Sequence, residues 1–254
     1  MTTLLEAVAQ VREAQQQTSK PLAILVAGHN GSGKSTMWRR DLSEVLQMPL
    51  INADRLALSI YPEPDDEGFL PPWAAAMRDA DPVWLRVTQQ GVTSFIGHAM
   101  AAKAPFAMET VFSHEAFRPD GTRETKIDLI REMQQAGYFV LLFFVGLSNA
   151  DLSVLRVQTR VLQGGHGIPE ERLRQRFPRT QRIVAEAATV ADAAIMADNS
   201  RDERQAFTVC RVQLRDRRLY DLRDELDGAP PVILSWMEVL APLTSAPGPP
   251  SSSG

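Results

Sequence analysis

The 254 residues are 44% hydrophobic and 23% charged, the balance of an ordinary globular protein and not of a disordered or fibrous one. Lys plus Arg number 27 against 31 Asp plus Glu, a formal charge of -4, so no global basic field exists to hold nucleic acid, which is not expected as a partner. The lone cysteine, Cys210, has no internal disulfide partner, no charged-then-apolar leader opens the chain, and the longest apolar run, Tyr138 to Leu147, is about half of what a membrane helix needs; together these predict a cytoplasmic protein without a membrane span.

In chain order, Leu4, Leu5, Val8 and Val11 fall on one helical face, so residues 1–20 read as a leading helix stopped by Pro21. Leu22 to Ala27 is an uninterrupted apolar run, as in a parallel strand covered on both faces, and a Gly-rich turn and a helix follow it. Further strands are predicted at Pro49–Ala53, Pro105–Val111, Tyr138–Gly146 and Ala193–Ala197, with helical stretches between them. Tyr61 to Gly68, rich in Pro and acid, reads as an insertion loop before a long helix over Pro82–Ala102. Ala206–Leu214 alternates like an edge strand, Arg215 to Arg217 supply a turn, and Leu234–Leu240 suggest a short final helix. The expected fold is therefore α/β, a parallel sheet of about five strands flanked by helices. Its main domain spans 21–200, a C-terminal extension 201–243, and a disordered tail 244–254 built of turn formers.

The turn after the first strand, Gly28-His29-Asn30-Gly31-Ser32-Gly33-Lys34-Ser35, has the GxxxxGK[ST] spacing of a P-loop (Walker A) motif. Its glycines let successive backbone N–H groups point inward and cradle phosphate oxygens at a helix N-terminus. Lys34 then reaches the β- and γ-phosphates and Ser35 is the expected Mg²⁺ ligand, with Thr36 just behind it, so ATP or GTP with Mg²⁺ is the implied cofactor.

Such a loop does not say where the γ-phosphate goes, and two acids at strand ends bear on that. Asp54, at the end of the second strand, suits either a general base for an attacking hydroxyl or a cap on the following short helix. Glu109, closing the third strand with Thr110, suits a carboxylate behind Mg²⁺, a partner for substrate hydroxyls, or a solvated strand end. Between Asp151 and Arg182 stand Arg156, Arg160, Arg172, Arg174, Arg176, Arg179 and Arg182, with no lysine. Arg156 and Arg160 share a helix face, and Gly164-Gly165-His166-Gly167 separates that helix from another starting near Glu170. The segment, about 151–182, reads as an Arg-rich helical lid over the phosphates, although any single arginine there is more often solvated or paired with acids such as Glu170 and Glu171. His166 has no metal-ligand companions and reads as a turn residue.

Taken together, Ala27 through Thr36, Ile51-Asn52-Ala53-Asp54, Glu109-Thr110-Val111-Phe112-Ser113, Arg156 through Arg160 with Gly164-Gly165-His166-Gly167-Ile168-Pro169-Glu170, Arg176-Phe177-Pro178-Arg179-Thr180 and Asp198-Asn199-Ser200 resemble the zeta toxin family of P-loop kinases, in order as well as content. The resemblance implies a phosphotransferase in which Asp54 deprotonates a sugar hydroxyl and Arg160 and Arg176 attend the transferring phosphate. Arg156 and Asn199 would lie near the nucleotide, and Glu109 and Thr110 would hold the acceptor. In the best-known members the acceptor is UDP-N-acetylglucosamine and the kinase is the toxin of a pair with an antitoxin protein; others use different acceptors. A nucleotide-dependent switch with slow ATP hydrolysis is the competing expectation.

Overall fold

The computed structural model describes residues 1–225 and 228–242. Helix α1 (Leu4–Gln16) is capped by Thr3, which trades hydrogen bonds with Glu6 in a capping box, and is followed by strand β1 (Leu22–Gly28). Helix α2 (Lys34–Met37) continues through a π-helical turn (Trp38–Leu42) into α3 (Ser43–Leu46). Next come β2 (Leu50–Ile51), α4 (Ala53–Leu58), α5 (Pro72–Ala80), α6 (Pro82–Ala102), β3 (Phe106–Thr110), a hairpin of β4 (Glu115–Phe117) and β5 (Arg123–Thr125), and α7 (Lys126–Gln135). The remainder is β6 (Phe139–Gly146), α8 (Ala150–Leu162), α9 (Glu170–Val190), β7 (Ala193–Asp198), β8 (Thr208–Leu214), β9 (Arg217–Asp221) and α10 (Pro231–Leu240).

The main sheet has the order β2-β3-β1-β6-β7-β8-β9. The first five of these are parallel, and β8 and β9 add an antiparallel extension. Every residue of β1 and β6 is buried, because each strand is covered on both faces. Alternation divides β1 between two cores. Ala23, Leu25 and Ala27 pack with Phe144, Ile183, Ala187 and Trp236 on the face covered by α6, α7, α9 and α10. Leu22, Ile24 and Val26 pack with Val8, Val11, Trp38 and Leu42 on the other.

The α/β architecture and its five parallel strands match expectation, and the long helix has the predicted bounds. Three local readings are corrected. The second strand is only Leu50–Ile51, since Asn52 already turns the chain and caps α4 by accepting from the Arg55 N–H. The strand expected at the sheet's edge, β8, lies inside it, because Arg217 starts β9 instead of ending a turn. The final helix begins at Pro231, where proline suits the first turn. The tail at 244–254 lies outside the described residues. Among the described residues no helix is long and apolar enough to cross a membrane.

Candidate active site

The carboxyl ends of β1 and β3 open into a cleft of about 930 Å³, the place where open parallel sheets gather ligands. One wall is the P-loop. Gly31 (φ 71°) and Gly33 (φ 86°) are left-handed, and a Cβ on Gly33 would stand 2.6 Å from Asn199 Nδ2. Gly33 then starts α2, directing the first N–H groups of that helix into the cleft. The buried Lys34 ammonium donates to the carbonyls of His29 (2.9 Å) and Gly28 (3.3 Å), which holds it within the loop. Burial lowers its pKa, and the carboxylates of Glu109 and Asp54 act against that, so both acids belong to its electrostatic surroundings.

Pairing of β3 with β1 sets Glu109 beside Val26 and Thr110 beside Ala27. Glu109 Oε2 accepts from Ser35 Oγ and from Asn52 Nδ2, each at 2.7 Å, and Oε1 is 3.9 Å from Lys34 Nζ. Glu109 is therefore not a solvated strand end. Asp54 lies in the first turn of α4, not at the end of a strand; the cap is Asn52, which leaves the Asp54 carboxylate on the cleft wall. Ser35, Glu109 and Asp54 present oxygen donors only, the set that suits Mg²⁺ shared with phosphates and water, and among the described residues no cluster of three acids or histidines forms a protein-only metal cage.

The arginine segment reaches this wall from above. Helices α8 and α9 pack through Val154, Val157 and Leu173, and the second half of α9 enters the core with Ile183, Val184, Ala187 and Ala188. Arg156, Arg160 and Arg176 line the cleft. Arg156 and Arg176 make no hydrogen bond or ion pair to any described residue, and burial lowers the pKa of both; Arg172 and Arg179 add to the effect at Arg176. The Asp198 carboxylate partly offsets this at Arg156 without forming an ion pair, so two partly desolvated guanidiniums with no paired carboxylate among the described residues suit an anion. Arg160 donates from Nη2 to the His166 carbonyl (2.7 Å). Of the other arginines, Arg174 is tied to Asp151 and Glu170, and Arg179 and Arg182 to Glu115, while Arg172 is exposed, outside the cleft lining and without a hydrogen bond or ion pair to a described residue.

Four members of the predicted nucleotide set are not part of the cleft lining. The Gly28 carbonyl accepts from Lys34, His29 is buried beneath α9, and Asn199 donates to the Ser32 carbonyl (2.9 Å), bracing the loop from behind. Asn30, Gly31, Gly33, Lys34, Ser35, Thr36, Asp54, Glu109, Thr110, Arg156, Arg160 and Arg176 all line it.

The opposite lobe escaped sequence reasoning. It is formed by Gln89, Thr93 and Gly97 of α6, His114 and Arg118 at the hairpin, and Lys126 at the start of α7. The four-residue steps from Gln89 to Thr93 to Gly97, which put two polar residues and a glycine on one face of the helix, were the available signal. Also unforeseen is a strap across the glycine turn between α8 and α9. Arg78 at the end of α5 donates to the Gly164 carbonyl (2.8 Å) while gripping Asp79, and Asp79 Oδ1 is 2.8 Å from His166 Nδ1. The acidic loop supplies its Gly68 carbonyl so close to Gly164 that a Cβ there would stand 2.1 Å from it.

This geometry fits what comparison with known proteins finds. The model of the zeta toxin family matches residues 6–209. The chain belongs to that family. An uncharacterised protein of Haemophilus influenzae is 26% identical over 155 residues, 61% of this chain and 91% of that one. A chain from the PezAT chromosomal toxin–antitoxin system of Streptococcus pneumoniae superposes with a TM-score of 0.51 at 15% identity, covering 94% of this chain and 88% of its own. The complex of AvrRxo1-ORF1 with AvrRxo1-ORF2, solved with sulphate ions, contains a chain that superposes with a TM-score of 0.56 at 12% identity, covering 96% and 71%. At these identities the two structures show a shared fold. Membership of the zeta toxin family, with a P-loop at the head of a kinase-type sheet, makes this chain a kinase-type phosphotransferase.

Proposed function

We propose that the chain transfers the γ-phosphoryl group of ATP or GTP to a hydroxyl of a small molecule, with a nucleotide sugar such as UDP-N-acetylglucosamine the first acceptor to test. The observation that carries this reading is that one cleft is lined by the P-loop with three arginines, by a second, polar lobe, and by the Asp54 carboxylate. Hydrolysis alone asks for the phosphate wall; the polar lobe of Gln89, Thr93, His114 and Lys126 suits an acceptor with several hydroxyls.

In this reading the P-loop amides and Lys34 hold the β- and γ-phosphates, and Lys34 leaves its backbone carbonyls to do so. Mg²⁺, held by Ser35 with Glu109 behind it, would neutralise developing charge on the phosphates. Asp54 accepts the proton of the acceptor hydroxyl as it attacks phosphorus, and Arg156, Arg160 and Arg176 stabilise the transferring group. Helix α9 over the loop excludes water that would otherwise compete with the acceptor. By family, and with a toxin–antitoxin chain among its structural relatives, the kinase is the toxin of a pair with an antitoxin protein as partner.

The test incubates purified protein with Mg²⁺-ATP and UDP-N-acetylglucosamine, and in parallel with a metabolite extract, and follows by mass spectrometry any species heavier by one phosphoryl group. The expected result is such a species from wild type and none from Lys34→Ala. ATP consumed with no phosphorylated acceptor would favour the switch, and an acceptor found only in the extract would replace the nucleotide sugar.

A further inference from the structure

We propose that His29 is a positioning residue for phosphoryl transfer: its imidazole is the plate on which Phe177 of α9 stacks, and that stack sets Arg176, one residue earlier, against the phosphates. The inference rests on the kinase reading above.

His29 is 2% exposed, its ring centroid lies 3.8 Å from that of Phe177 with 11° between the planes, and its edge meets Phe144 at 5.7 Å. Among the described residues its side chain has no hydrogen-bond partner, the buried Nε2 included, so no polar contact explains a histidine in the P-loop; what it makes is area. Burial, with Lys34 nearby, pushes its pKa down to about 3, so at neutral pH the plate is uncharged and adds no repulsion towards Lys34 or Arg176.

On an α-helix, successive side chains are about 100° apart, so fixing Phe177 on the P-loop fixes the azimuth of Arg176 on the cleft side. Pro178 follows at once inside α9 and cannot donate to the Arg174 carbonyl, which weakens the helix's own hold on this turn and leaves its geometry to tertiary contact. The same device serves the other helix. Ser153 Oγ of α8 donates to the Asn30 carbonyl (2.7 Å), one turn before Arg156, and Gly31 lies so close to α8 that a Cβ there would stand 3.0 Å from the Arg156 Cβ. Two consecutive P-loop residues are thus joined one to each lid helix, and each join lies within a turn of an arginine that lines the cleft and makes no ion pair with a described residue.

The test measures, by calorimetry, the affinity for Mg²⁺-ADP alone and for Mg²⁺-ADP with aluminium fluoride, which mimics the group in flight. The readout is the ratio of the two affinities, which a general loss of nucleotide binding leaves alone. His29→Ala is expected to lower that ratio by about 10-fold or more, a part of what an arginine on the transferring group contributes. His29→Phe, which keeps the plate, should restore it, and His29→Ala added to Arg176→Ala should lower it no further, because the two act through one contact. If His29→Ala does not fold, Phe177→Leu removes the stack while keeping most of the volume, and the same ratio decides. A ratio that survives in His29→Ala or Phe177→Leu, or effects of His29→Ala and Arg176→Ala that multiply in the double variant, overturn the inference alone. A wild-type protein that gains nothing from fluoride overturns the transfer reading and the inference with it.

Discussion

Replacing His29 by phenylalanine should make the fold less sensitive to acid. In the unfolded chain the imidazole titrates near 6.5; in the folded protein burial, and then Lys34, bring it to about 3. Between those values the unfolded chain takes up a proton that the folded protein refuses. The resulting loss of stability is therefore absent above about pH 7 and grows as pH falls towards 3. Each pH unit below 6.5 contributes about 1.4 kcal/mol, so the loss is about 2 kcal/mol near pH 5. Phenylalanine keeps a ring against Phe177, binds no proton and abandons no hydrogen bond, since Nε2 has none. Urea unfolding of both proteins at about pH 7.5 and pH 5 measures a double difference in which every other titrating group cancels. The His29→Phe variant should gain about 2 kcal/mol on wild type over that interval, or about 4–8 °C in Tm for a domain of this size. Parallel pH dependences for the two proteins would refute a neutral, desolvated imidazole at this position.

Asp54→Asn should leave Mg²⁺-ATP affinity within about 2-fold by calorimetry while acceptor phosphorylation falls by roughly 10² to 10⁴; a parallel loss of nucleotide affinity would make Asp54 a metal group, and an unchanged rate would remove it from the chemistry. Glu109→Gln strips the buried Lys34 of its nearest carboxylate and should cost the nucleotide-free protein about 3 kcal/mol. Because phosphates supply the missing negative charge, Mg²⁺-ATP should raise the Tm of this variant more than that of wild type; an unshifted Tm without nucleotide would refute the role. Asp79, held down to about 2 first by the Arg78 hydrogen bond, keeps its part of the lid strap charged above about pH 4 and releases it as pH falls through about 2. Arg78→Ala should bring its carboxyl NMR midpoint back towards the ordinary carboxylate value, and a midpoint that stays put would assign the depression to His166.

What the amino-acid order disclosed depended on how local the information was. The P-loop was legible because strand, glycine turn, lysine and helix are contiguous, and Pro82–Ala102 because a capping aspartate and a proline announce it. Strand β9 was not, since an edge strand reading Arg-Arg-Leu-Tyr-Asp shows no alternation, and the three-residue strands β4 and β5 are too short for any period to appear. In the site, Lys34 and Ser35 were legible by type and spacing, whereas composition offered a segment of seven arginines and the family resemblance singled out the three that line the cleft. The contact of Glu109 with Ser35 and Asn52 needs the β1–β3 register, and the joining of Arg78 to Gly164 or His29 to Phe177 spans too much chain for any local pattern to carry.

The placement of α1 sets an order of events during synthesis. This helix leaves the ribosome before every strand of the main sheet, yet its apolar face of Ala7, Val8 and Val11 is covered in part by β7 and β8, which follow it by more than 170 residues. At about 5–20 residues per second, roughly 10–40 s pass before those strands are made. Until then α1 is an amphipathic helix without its full partner, and β1 likewise waits on β3 and β6 for both of its ladders. The sheet grows outward from a strand that emerges early, and an early helix closes it over strands that emerge late. A nascent chain stopped short of β7 therefore leaves uncovered part of an apolar helical face that the finished protein hides, the kind of surface that makes incomplete chains prone to aggregate.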